Sequence, residues 1–176
     1  MEVFGKFSDG NIRFYKNSNP FYVAQSKTSW FKQRKILFNK LGKEVLKIRT
    51  KIGFSGIKHI IKYKNDPNEL ILQLKGTLTK NYYECIINID VYKLFIHKGL
   101  FTSIFKNNKQ IAYYKKSSIS SEIQLIYNSD VKLELMITFI TCLELSYYDE
   151  NESLVIDLGN IGGEYQSFNE KWKPMN

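Results

Sequence analysis

The 176-residue chain has little of what small secreted scaffolds depend on: it has two cysteines, Cys85 and Cys142. A disulfide framework needs more of them in a closer pattern. Both sit among apolar neighbours, in Glu84-Cys85-Ile86-Ile87 and Thr141-Cys142-Leu143, and read as buried free thiols in a reducing compartment. Histidine is equally scarce, at His59 and His97. With no Cys-x-x-Cys and no His-x-x-x-His spacing, no metal site is expected. Three prolines and ten glycines exclude collagen-like and linker-like chains. No long hydrophobic run is present. The longest, 133–145, carries Glu134 and Glu144 and falls short of the about 20 apolar residues a spanning helix needs. The opening Met1-Glu2-Val3-Phe4-Gly5-Lys6 lacks the basic-then-apolar pattern of a signal peptide. The expected location is cytoplasmic, with room for a peripheral place at a membrane.

What is present is globular in composition, 43% hydrophobic and 24% charged, and long enough for one domain with a sizeable core. The net charge of +9 is unevenly spread. Residues 1–128 hold twenty-three Lys and Arg against eight Asp and Glu, a net of +15. Residues 129–176 hold three Lys against nine acids, a net of −6. A basic body of this kind suits an anionic partner, either a membrane surface or nucleic acid. The acidic section can equally lie against the basic body or serve a protein partner.

The first 128 residues read as strand after strand. Short segments rich in Ile, Val, Tyr and Phe alternate with turn residues, at 12–16, 21–25, 35–38, 44–50, 57–63, 69–75, 82–89, 92–97, 101–105, 110–115 and 122–127. Hairpin signals stand at Asn39-Lys40-Leu41-Gly42-Lys43 and Lys106-Asn107-Asn108-Lys109. In 44–50, Leu46 and Ile48 share one face and Lys47 and Arg49 the other; in 57–63, His59 shares a face with Ile57, Ile61 and Tyr63, opposite Lys58, Ile60 and Lys62. Strand starts every 8–12 residues, without a βαβ rhythm, predict an antiparallel sandwich or barrel.

Residues 130–148 break this pattern. As a helix, the segment has one polar stripe, Glu134, Thr138 and Thr141, and is apolar almost all round, which predicts a buried helix. Strand alternation is also present, but the length without Gly, Pro or Asn favours the helix. Asn128, Ser129 and Asp130 are the candidate N-caps. Beyond it, 154–158 reads as a short strand, 159–163 as a glycine-rich turn, and Tyr165, Phe168 and Trp172 as anchors to the body. The expected organisation is one unit over 1–148 with a C-terminal extension, 149–176, packed on it. About 10–12 strands followed by one almost wholly apolar helix suit a closed antiparallel β-barrel threaded by that helix.

This order resembles the tubby C-terminal-like superfamily, with its LURP-one-related and phospholipid scramblase-like branches. The residues that carry the resemblance are Phe21-Tyr22-Val23-Ala24-Gln25-Ser26-Lys27, the hairpin Lys35-Ile36-Leu37-Phe38-Asn39-Lys40-Leu41-Gly42-Lys43-Glu44-Val45-Leu46-Lys47-Ile48, and the late apolar segment 133–145. The resemblance covers residues 10–148 and implies a barrel around a central helix and binding of anionic phospholipid. The family's central helix lies near the chain end, whereas here nearly thirty residues follow Tyr148.

No catalytic pattern is found. There is no Gly-x-Ser-x-Gly elbow, no P-loop and no dinucleotide fingerprint, and neither histidine has a triad partner in view. No cofactor is expected, and the chain reads as a non-enzymatic binding module. The candidate anionic-partner surface is Lys27, Trp30, Phe31, Lys32, Arg34 and Lys35, where aromatics in a turn stand among cations as at a membrane interface. The same interleaving, repeated in Tyr113-Tyr114-Lys115-Lys116, also suits single-stranded nucleic acid. The third reading is an intracellular protein–protein scaffold that uses the acidic C-terminal section.

Overall fold

Inward and outward side chains alternate along twelve strands, and that alternation builds the wall of the protein. A computed structural model describes residues 1–29, 32–53, 56–76, 81–97, 100–117, 119–145, 169 and 171–175. The strands are β1 (Glu2–Ser8), β2 (Asn11–Lys16), β3 (Asn19–Ser29), β4 (Lys32–Asn39), β5 (Glu44–Gly53) and β6 (Gly56–Tyr63). They continue with β7 (Glu69–Gly76), β8 (Asn81–Ile87), β9 (Asp90–His97), β10 (Phe101–Lys106), β11 (Lys109–Lys116) and β12 (Glu122–Tyr127). Each pairs antiparallel with the next, and β1 pairs with β12, so the sheet closes into a barrel with no free edge. Its tight turns use the expected residues. Asn39 accepts backbone N–H bonds from Leu41 and Lys43 through Oδ1, with Gly42 at φ 68°. Asn107 and Asn108, both at positive φ, turn β10 into β11.

Eleven of these strands match the expected segments; β1 is the addition. Its inner face is interrupted by Gly5, which hides the alternation of Val3 and Phe7. The reason is steric. A Cβ at Gly5 would lie 3.2 Å from Ile12 Cγ2 and 3.3 Å from the Phe14 ring, so the β2 side chains occupy the space a side chain would need.

The one helix among the described residues, α1 (Leu133–Glu144), runs through the barrel. Eight consecutive residues from Leu135 to Cys142 are buried, so the helix has no solvent face along this stretch. Side chains from around the wall reach it: Tyr22 of β3, Lys35 of β4, Tyr63 of β6, Tyr92 of β9 and Tyr114 of β11. Twelve tilted strands about 4.8 Å apart give a backbone cylinder about 24 Å across. A helix with its side chains takes about 10–12 Å, which leaves one layer of wall side chains on each side. The buried hydroxyls of the polar stripe are satisfied within the helix: Thr138 donates to the Glu134 carbonyl and Thr141 to the Ile137 carbonyl, each at 2.8 Å.

The helix is shorter than the expected 130–148, and its start differs. Lys132 occupies the N-cap position without a side-chain cap bond. Asn128 is recruited elsewhere: its Oδ1 accepts the Met175 N–H at 2.9 Å. Residues 146–148 lie outside the described residues, as do the expected strand at 154–158, the turn at 159–163, Tyr165 and Phe168. Trp172 does anchor. Its indole N–H donates to the Gln110 carbonyl at 3.3 Å, and its ring meets Tyr113 edge-on at 5.7 Å.

Two substitutions test this architecture. Ile137→Asp places a carboxylate where no water reaches, and the cooperative thermal transition followed by circular dichroism should disappear. Gly5→Val should leave a folded barrel destabilised by about 1–3 kcal/mol in urea titration, the ordinary cost of overpacking; an unchanged midpoint would show that the β1–β2 contact is slack.

Candidate anion-binding wall

With the interior filled by α1, the surface open to a partner is the outer wall and the barrel ends. Residues 11–63, the span of β2 to β6, contain thirteen Lys and Arg and one carboxylate, Glu44. Strand alternation turns most of these cations outward, and Arg13, Lys27, Arg34, Lys47, Arg49, Lys51 and Lys62 are exposed. Register then sets them side by side. Lys27 lies opposite Arg34, and Arg34 opposite Arg49, a row of three cations across β3, β4 and β5. Lys47 lies opposite Lys62, and Lys51 opposite Lys58, across β5 and β6. Like charges in directly opposed positions repel and destabilise a sheet.

Compensation is partial. Glu44 pairs with Lys47 at 3.3 Å and Glu69 of β7 with Arg49 at 2.9 Å. Among the described residues, no carboxylate lies within ion-pair distance of Lys27, Arg34, Lys51, Lys58 or Lys62. Among the described residues, the wall therefore keeps a net positive field that an anion relieves. Its polarity, charged outside and apolar inside, is the reverse of a barrel embedded in lipid. Among the described residues no helix is long and apolar enough to cross a membrane.

The six residues expected to form the surface divide. Lys27 and Arg34 are exposed and directly opposed. Lys32 belongs to β4, its side chain outside the described residues, and Trp30 and Phe31 are likewise outside them. Lys35 is a correction. It shares strand parity with Leu37, faces inward and is wholly buried, so it is not part of any docking surface. Its Nζ donates to the Cys142 carbonyl at 2.6 Å, placing a cation at the C-terminal end of a helix that has no basic residue in its own last turn. Arg49, Lys51, Lys58 and Lys62 join the wall instead. The outward face of Arg49, Lys58 and Lys62 was visible from alternation, Lys51 lay beyond the expected segment 44–50, and the juxtaposition of all four needed the register.

Several of the buried polar groups serve the helix, and others bond within the wall. Tyr22 donates to Glu134 at 2.7 Å at the first turn, and Tyr114 donates to Glu144 at 2.6 Å at the last, where Lys116 also pairs with Glu144 at 2.9 Å. Burial, with Glu144 beside it, holds the Tyr114 hydroxyl well above its ordinary range. Cys85 and Cys142 are buried free thiols, each pushed up to about 12 by burial, which makes them poor nucleophiles and poor metal ligands. His59 Nδ1 lies 3.0 Å from Thr50 Oγ1, and His97 Nε2 lies 2.9 Å from Ser103 Oγ. Glu84 and Asp90, six residues apart in sequence, stand on neighbouring strands; Glu84 lies opposite Lys93, and Asp90 is held by Lys106 and Asn107. Among the described residues no group of three or more His, Cys, Asp or Glu is placed to hold a metal ion.

No protein-family model, curated protein or solved structure matches the chain.

The interior makes a prediction about pH. Burial, with Lys35 nearby, lowers His59 from its ordinary 6.5 to about 3. The unfolded chain therefore takes up this proton below about pH 6.5, while the folded chain waits until about 3, so stability falls as pH drops through that window. Lys35 follows the same rule higher up. Burial lowers it to about 8 against the pull of Cys142 and Glu144, and stability gains as pH rises from about 8 towards 10. Urea midpoints should fall between pH 7 and pH 4, and His59→Gln should flatten that fall. An unaltered slope in the variant would place the acid sensitivity elsewhere.

Proposed function

We propose that this chain is a non-enzymatic, tubby-like binding module that holds an anionic membrane surface on its basic wall. The observation that carries the reading is the row Lys27, Arg34 and Arg49, three cations in consecutive opposed positions, of which Arg49 pairs with Glu69 of β7. An arrangement that works against the sheet in isolation is one that a bound anion turns to advantage. A twelve-strand closed barrel wrapped around one apolar helix is also the architecture that the tubby-like resemblance implies, and it supports the assignment. Tyr22 and Tyr114 are hydrogen-bonded to the carboxylates of α1, and the buried His59 is hydrogen-bonded to Thr50 of β5. Cytoplasmic placement, on the inner face of a membrane, fits anionic lipid and two free thiols.

The deciding experiment is co-flotation of the whole chain with liposomes of phosphatidylcholine alone or with phosphatidylserine added, at low and high salt. Binding to the anionic vesicles that weakens with salt is expected. Arg34→Glu, flanked by Lys27 and Arg49, should reduce it at least tenfold. The same change should raise stability, by about 0.2–1 kcal/mol, because it replaces two like-charge pairs by opposite ones. A variant that loses binding while gaining stability separates a lost site from a lost fold. Absence of binding at low salt overturns the reading. Steep salt-dependent binding to a single-stranded oligonucleotide alone would assign the wall to nucleic acid, and capture that depends on residues 149–176 would favour the scaffold.

A further inference from the structure

The row of cations does not end at Arg49. Register carries it around the barrel: Arg49 lies opposite Ile60 of β6, and Ile60 opposite Ile71 of β7. One step beyond the paired residues Leu72 and Cys85, the row reaches Ile86 of β8, which lies opposite Val91 of β9. All four point outward, since their neighbours Ile61, Leu72, Cys85 and Tyr92 are buried inside. Ile71 is 48% exposed and Ile86 59% exposed. One belt around the wall thus passes from three cations to a run of branched aliphatic side chains. The flanks of the aliphatic run are polar: Lys62 and Glu69 on one side, Lys58, Gln73, Glu84 and Lys93 on the other.

An isolated exposed isoleucine means little. A run of them on neighbouring strands, continuous with a cation row, is a surface with a direction. Its chemistry narrows the occupant. Nucleic-acid walls interleave cations with flat rings on which bases stack. Here the apolar members are aliphatic and branched, with no face to stack. Protein hot spots favour Trp, Tyr and Arg seated in pockets; this surface is convex. A lipid surface asks for cations at headgroup level beside aliphatic groups that enter the acyl boundary. A plane laid against a twelve-strand barrel touches about four adjacent strands. Centred on the Arg49–Ile60 junction, those are β4 to β7, with Arg34, Arg49, Ile60 and Ile71 in contact and Lys27 and Ile86 at the margins.

We infer that the barrel lies on its side on an anionic bilayer, with the Arg49–Ile60 junction against the membrane and Ile71 inserted at the headgroup boundary. This rests on the anionic-membrane reading above and adds an orientation and an apolar component to it. The barrel ends then face along the membrane.

Two measurements test it. The first places a single environment-sensitive fluorophore at Ile71→Cys or, on the opposite wall, at Gln124→Cys of β12; the native cysteines are buried and are spared labelling. Phosphatidylserine-containing vesicles should shift the emission of the label at 71 to the blue and leave the label at 124 unchanged. Equal shifts at both, or none at 71 while the protein co-floats, overturns the orientation. The second is co-flotation of Ile71→Ser/Ile86→Ser, which keeps the net charge. Its binding should persist at low salt but be lost at high salt, where the wild type keeps a residue of binding. If it follows the wild type at every salt while Arg34→Glu fails to bind, the wall is purely electrostatic, and this inference falls while the proposed function stands. If the wild type ignores anionic vesicles, both fall together.

Discussion

A helix with no solvent-facing side is the constraint from which the rest of this structure follows. It demands a wall all round, and one wide enough for a helix plus one layer of side chains, which twelve strands provide. It also demands partners for its own ends, because unpaired carbonyls and carboxylates inside a barrel are costly. The wall supplies them by reaching inward: Tyr22 to Glu134 at one end, Tyr114 and Lys116 to Glu144 at the other, and Lys35 to the Cys142 carbonyl. Sites that look reactive in isolation, two thiols and a buried lysine, are thereby committed to holding the centre together.

Once the inside is committed, variation is free only outside. A strand in such a wall has one face fixed by the helix and another that stability barely constrains. On β3 to β6 that outer face has filled with cations in opposed positions, against the preference of the sheet itself. Tolerated local repulsion is the kind of departure from internal consistency that marks a working surface. Across β6 to β9 the same row becomes aliphatic, so charge and greasiness divide the arc from β3 to β9 between them.

Most of the fold was legible in the chain. Period-two alternation located eleven strands, and the scarcity of polar gaps after Asp130 marked an enclosed helix. What escaped notice has definite physical causes. β1 was masked because Phe14 needs the room at Gly5, so its apolar face is missing a member. The helix start was misplaced because Asn128, a good cap by propensity, binds the backbone of Met175 near the far end of the chain. The candidate surface was only half legible. Lys27 and Arg34 face outward as a basic strand pair suggests, but Lys35 follows the alternation inward, where the end of the helix offers its charge a partner. Parity, and not charge type, decides where Lys35 points. Arg49 and Lys62 were correctly placed on outer faces, yet neither could be joined to its neighbours before the register was known.

The closure of the barrel bears on how the protein can be made. The strand that seals the wall, β12, ends at Tyr127, and its partner β1 begins at residue 2, with the Met1 amino group bonded to the Tyr127 carbonyl. The segment that fills the centre is synthesised after both. A ribosome therefore delivers every stave before the rod they enclose, and the staves have nothing to pack against until it arrives. Pairing the first strand with the last also joins residues more than a hundred positions apart, the kind of contact that slows folding. During that interval β1 and β12 are open edges with apolar inner faces. A chaperone, or a crowded neighbour of the same chain, meets this protein first as an unclosed sheet.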